Sequence, residues 1–400
     1  MIETSEGHPF PDQIYGAPHP AETQEIFGQE KATQLFLSSF FSGRLHHSWI
    51  LTGPKGIGKA TLAWQIAKFL FVTPSLEYGA SVFAQADLPN SINIEKDHPV
   101  ARRIKAGSEP GLFLLRRSYD EKRKNFRKLI TVDEVRKLKS FFRLSAPDGG
   151  RRIAIVDSVD EMNQSAANAI LKILEEPPKN TFLFLISHQP GRLLPTIKSR
   201  CRELTLDRLN EINLKRALEF AEVDIKGADT HALTLLSGGS VASAIKLINK
   251  DGLLTYKMVL DVFSSLPNLK HDSLMNLLEK FSHLDKTEDF EFFTYLLEIV
   301  INRLTINGVK QNLNENNSVF SELSLFPKLC PNQAAAIKWA TLAQKISRRM
   351  REGYTVFVTK EGKPLSEIDI DEKAKDNGQL SMFDELGGVA FNDCEGMCGV

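Results

Sequence analysis

Short apolar runs alternate with amphipathic stretches between residues 26 and 206, a glycine- and lysine-rich loop follows the first of these runs, and strand signals stop near Asp207. These observations predict an α/β phosphate-loop (P-loop) NTPase-like domain built on a parallel sheet and followed only by helices. Four strands are expected: Ser48–Leu51, Leu112–Leu115, Arg152–Val156 and Thr181–Ile186. Each is short and almost wholly apolar, as strands buried on both faces of a parallel sheet are.

Helices are expected between the strands. Residues 61–71 place Leu62, Ile66, Phe69 and Leu70 on one face. Thr131 followed by Glu134 has the spacing of a capping box and starts a second helix. Residues 165–175, rich in Ala, Leu and Ile, form a third; Pro177 and Pro178 end it, because proline lacks the donor that a helix needs. Residues 209–250 read as a small helical unit broken at Ser237-Gly238-Gly239-Ser240, and residues 253–354 as further helices.

At 400 residues the chain is too long for a single core and implies two or three domains. Lys and Arg number 50 and Asp and Glu number 50, a balance that argues against a dedicated, independent nucleic-acid binder. No apolar run approaches the ~20 residues that span a bilayer, so no membrane association and a cytoplasmic location are expected. The four cysteines, Cys201, Cys330, Cys394 and Cys398, are sparse, which suits a reducing compartment. The lone pair Cys394 and Cys398 is half of a structural zinc site, and no zinc is expected.

The chemistry centres on Gly53-Pro54-Lys55-Gly56-Ile57-Gly58-Lys59. A strand precedes it and a helix follows, so Gly53, Gly56 and Gly58 would let backbone N–H groups approach a phosphate while Lys59 supplies charge. The next position, where a hydroxyl would ligate Mg²⁺, is Ala60. Thr61 follows, but one helical step turns a side chain by about 100°. Asp157, at the end of an apolar strand, is placed to help hold a metal, yet Ser158 follows it where a hydrolase needs a carboxylate to polarise water. Asp160 and Glu161 are expected to face solvent or start the next turn, with one of them swinging back toward the site as the alternative. The loop therefore reads either as a degenerate nucleotide site that holds ATP or ADP without hydrolysis, or as a phosphate loop kept for structure alone.

Several segments resemble the clamp-loader branch of the AAA+ proteins, and within it the delta-prime family of bacterial DNA polymerase III: residues 26–30 (Ile-Phe-Gly-Gln-Glu), 45–54 leading into the loop, 168–178 ending in Pro-Pro, and 194–201 ending in Ser199-Arg200-Cys201. The resemblance covers about residues 26–206. It implies a AAA+ domain (26–206), a helical lid (207–250) and a helical collar for oligomerisation (251–358), between a flexible arm (1–25) and a disordered tail (359–400). It further implies a hetero-pentamer with delta and gamma/tau subunits, part of the DNA-directed DNA polymerase holoenzyme, that loads a sliding clamp onto primed DNA. This chain would be its stator, and Arg200 would be an arginine finger reaching in trans into a neighbour's ATP site. The family's sensor arginine falls on Ala242, and its four-cysteine zinc module has no cysteine here before Cys201. An ATP-hydrolysing motor subunit and an adaptor outside replication are the alternatives.

Two further features are noted. Arg116-Arg117, Lys122-Arg123-Lys124 and Arg127-Lys128 suggest a solvated basic hairpin, with contact to a DNA backbone as the sharper reading. In the tail, Gln379, Leu380, Met382 and Phe383 match a short clamp-docking peptide.

Overall fold

The computed structural model describes residues 13–73 and 91–356, except 121, 123–124, 145–149 and most of 267–286. The docking peptide and the Cys394/Cys398 pair lie outside the described residues. The chain divides into two compact units, Met1–Thr230 with Ser237–Ile245, and His231–Leu236 with Lys246–Val400.

The first unit is built on a five-stranded parallel sheet. In chain order its elements are α1 (Glu30–Phe41), β1 (Ser48–Thr52), α2 (Lys59–Val72), α3 (Pro99–Lys105), β2 (Leu112–Arg116), a two-residue-stranded hairpin β3 (Tyr119–Asp120) and β4 (Asn125–Phe126), α4 (Val132–Arg143), β5 (Arg152–Asp157), α5 (Gln164–Glu175), β6 (Thr181–Ile186), α6 (Pro195–Lys198), β7 (Arg202–Thr205) and α7 (Glu211–Phe220). The sheet order is β2-β5-β6-β1-β7. β1 is thus flanked by two strands that come late in the chain, paired Leu51 to Ile186 and Thr52 to Thr205. Ligands of open α/β sheets bind at such a crevice, beyond the carboxyl ends of the strands.

All four expected strands form. β1 is buried along its whole length, and β5 along all but its last residue. Sequence reasoning missed β7, an edge strand of which only Leu204 is buried. β3 and β4, on either side of residues 121–124, pair antiparallel, with Tyr119 opposite Phe126. Thr131 and Glu134 close the expected capping box at α4. Asn163 caps α5 by accepting from Ala166 N at 2.8 Å.

The stretch expected as a flexible arm differs from that expectation where it is described. His19 is buried with its ring edge-on to Trp64, and Lys68 donates to Thr23 O at 3.4 Å. Packing against α2 gives this polar segment an apolar wall and a cation to bond.

The second unit is helical, with α8 (Thr230–Ser237) and α9 (Val241–Asn249) falling at the division between the units, then α10 (Gly252–Ser264), α11 (Thr287–Lys310), α12 (Glu322–Leu329) and α13 (Gln333–Val356). α11 packs along α13. Phe263 stacks on Trp339, whose indole donates to Leu329 O at 2.9 Å. A fully buried carboxylate, Glu322, takes hydrogen bonds from Arg303 at 2.6 and 2.8 Å, from Val319 N at 2.9 Å and from the Tyr256 hydroxyl. Among the described residues, no single helix is long and apolar enough to cross a membrane.

Candidate functional site: a phosphate loop and a displayed arginine

The loop leaves the carboxyl end of β1 and enters α2 through three glycines in left-handed conformations, Gly53 (φ 136°), Gly56 (φ 78°) and Gly58 (φ 99°). Glycine has no Cβ to clash there, which is why the sequence can turn so tightly between strand and helix. Lys59 opens α2 and is buried. Its ammonium donates to Gly53 O at 2.7 Å and to Pro54 O, so the cation is folded onto the loop's own carbonyls. Burial lowers its pKa to about 8, against the opposing pull of Asp157 and Asp160. Asp157 ends β5, and its charge acts on Lys59. Thr61 is the third residue of α2, one step past Ala60.

The segment at the start of α9 closes over the loop. Ser240 Oγ donates to Lys55 O at 2.9 Å, and Ala242 N donates to Gly56 O at 3.2 Å. A Cβ placed on Gly56 would sit 2.2 Å from the Cβ of Ala242. The Ala242 methyl group thus packs against the loop.

Asp160 and Glu161 lie in the turn that follows β5, and Asp160 swings back toward the sheet. Its carboxylate accepts from Ser187 Oγ at 2.8 Å and from the His188 amide, tying the turn after β5 to the end of β6. Sequence reasoning missed Ser187 and His188. The register holds the signal that finds them: Leu51 pairs with Ile186, so the residues after β6 must emerge beside those after β1. His188 is held neutral, its pKa lowered to about 4 by burial and by the charges of Lys59 and Lys55. Glu161 pairs with Arg117 at 2.9 Å, and burial raises its pKa despite that cation. Ser158 Oγ is buried without a hydrogen-bond partner.

Tested against a nucleotide, these residues fit in part. Two lysines and the glycine turn suit a phosphate. The Mg²⁺-ligating hydroxyl and the water-polarising carboxylate are replaced by Ala60 and Ser158. Among the described residues, no group of three or more His, Cys, Asp or Glu side chains is placed to hold a metal.

Arg200 lies in the turn between α6 and β7. Its neighbour Cys201, half-buried, packs against the core, and burial pushes that thiol up to about 12. The inward anchor leaves the guanidinium on the surface, with Nη2 2.8 Å from Glu175 Oε1 and Nη1 donating to Thr196 O at 3.0 Å. Neither partner belongs to the phosphate loop.

Comparison with known proteins adds relatives. The model described as "DNA polymerase III, delta subunit" matches residues 28–210. Over 216 residues the chain is 37% identical to DNA polymerase III subunit delta′ of Pseudomonas aeruginosa, covering 54% of this chain and 60% of that one. It is 29% identical over 225 residues to the delta′ subunit of Bacillus subtilis, covering 56% and 60%. The chain thus spans about 60% of the length of these two curated relatives. A solved DNA polymerase III gamma subunit-related protein from Thermotoga maritima aligns with 79% of this chain and 99% of its own, at 17% identity and a TM-score of 0.36. The fold assignment rests on the sheet order and the loop. Over residues 28–210 the chain is thus similar to the delta and delta′ subunits of DNA polymerase III that these comparisons name.

Proposed function

We propose that the protein is a clamp-loader subunit that assembles with gamma/tau- and delta-type subunits, hydrolyses no ATP itself, and supplies Arg200 in trans to a neighbour's ATP site. The observation that carries this reading is the contrast between two sites on one unit. The phosphate loop has lost its metal-binding and water-polarising groups and is packed under Ala242, while Arg200 is displayed on the surface away from that loop. A planar guanidinium suits a phosphate of a neighbouring nucleotide, because it offers several donors in a fixed fork. Supplied in trans during phosphoryl transfer, such a cation contributes about 10³–10⁵ in rate. The rigid loop region then serves as a stator against which active subunits move, in the loading of a sliding clamp onto primed DNA.

Any nucleotide held at the loop stays unhydrolysed, because Ala60 leaves Mg²⁺ without its hydroxyl ligand. A titration of the isolated chain with a fluorescent ATP analogue tests this, together with a turnover assay. The expected outcome is an affinity that changes less than about twofold on adding Mg²⁺, and no turnover above background. Mg²⁺-dependent turnover by the isolated chain would favour the motor-subunit reading instead.

A further inference from the structure

Arg200 is held by a residue that no motif pointed to. Glu175 is the last residue of α5, two positions before Pro177. Its Oε1 lies 2.8 Å from Nη2 of Arg200, while Nη1 donates to Thr196 O at 3.0 Å within the preceding turn. Two anchors from different helices therefore fix both amino groups of a long, flexible side chain. Nη1 also reaches Ser199 Oγ at 3.5 Å, while Nε makes no hydrogen bond among the described residues and Nη2 keeps a second N–H. Those two donors are available to an outside acceptor.

We propose that Glu175 is a positioning residue for Arg200: it sets the orientation of the guanidinium before a neighbouring subunit's nucleotide phosphate docks on it. This rests on the trans-acting role proposed above. An arginine loses substantial rotamer freedom on immobilisation, and a carboxylate that already orients it removes part of that cost from the docking step. Carboxylates behind metal-ligating histidines act by the same logic. The pair is half exposed, with side-chain exposures of 36% for Arg200 and 48% for Glu175, so it is weak enough to share its cation with a phosphate. The carboxylate is not left stranded when it does. Glu175 lines a surface groove together with Lys139, Arg143 and Lys172, whose cations face the same space.

The helix ends at Glu175 because Pro177 follows closely, so the carboxylate is placed by the fold rather than by a loop. Glu175→Gln keeps its size and removes its charge. Being on the surface at a helix end, it should leave folding and assembly intact.

The test is a double-mutant cycle on the assembled loader, using MgATP with clamp and primed DNA. Assembly is first checked by size-exclusion chromatography, and kcat and KM for ATP are then measured for E175Q, E175D, R200A and E175Q/R200A. The expected result is a kcat lowered about 2- to 5-fold in E175Q, partial recovery in E175D, and no further loss when E175Q is added to R200A. Wild-type kcat in E175Q, alongside a large loss in R200A, overturns the role of Glu175 and leaves the trans arginine standing. A raised kcat, or an equal loss from E175Q in the R200A background, also overturns it. No loss in R200A removes the reading on which it depends.

Discussion

Gly56 and Gly227 share nearly the same backbone, φ 78° and 77°, but not the same surroundings. A Cβ on Gly227 meets nothing within 4 Å, whereas on Gly56 it meets Ala242 at 2.2 Å and Ser240 Oγ at 2.5 Å. Gly227→Ala therefore carries only the left-handed strain, about 1 kcal/mol, while Gly56→Ala adds a collision. Denaturant unfolding should show G56A less stable than G227A by about 1–3 kcal/mol; equal losses would mean that the loop is not packed as described. Lys68 makes a pH prediction. It is buried, and burial lowers its pKa to about 8 against the pull of Glu22. The unfolded chain, with its lysine near the ordinary value, binds more protons than the folded one between pH 8 and about 10.5, so this group's contribution to stability rises with pH across that window. Lys68→Met removes the charge at every pH. It should stabilise the first unit by up to about 3 kcal/mol at pH 7, with the gain shrinking as pH rises past 8. A gain that stays constant with pH contradicts the assignment.

At the scale of elements, the capping box of α4 ties three segments together. Glu134 accepts from Thr131 N at 2.8 Å, from the Thr131 hydroxyl and from Ser118 Oγ at 2.8 Å. Burial pushes its carboxyl up, but these hydrogen bonds outweigh burial and leave its pKa below the usual carboxylate range. Thr131→Ala should lower stability by about 1–2 kcal/mol, read as faster amide exchange in the first turn of α4. This box was legible because both partners lie within four residues. β1, β2, β5 and β6 were legible for a related reason: burial on both faces leaves an uninterrupted apolar run. β7 was not, because an edge strand reading Arg-Glu-Leu-Thr resembles a loop. Asp160 and His188 were not either, since their contact joins residues 28 apart. Only the strand register brings them to the loop. The outward display of Arg200 came from resemblance alone; its physical cause is the inward packing of the half-buried Cys201 beside it.

For the molecule as a whole, the two units hold themselves together by different means. The first is a parallel sheet buried between helices. The second encloses an ionised network, and removing one member of a buried pair leaves the other uncompensated. Glu322→Ala should therefore destabilise the helical unit by about 3–5 kcal/mol, seen as faster hydrogen exchange in α10–α12; unchanged exchange there would contradict the network's role. On the function proposed above, a chain with balanced charge and a phosphate loop lacking hydrolytic groups acts through what it presents to others. The most direct test of that claim is the ATPase rate of the assembled loader, stimulated by clamp and primed DNA, with Arg200→Ala in this chain alone. A loss of at least tenfold with assembly intact is the predicted result; an unchanged rate would show that Arg200 completes no neighbour's site.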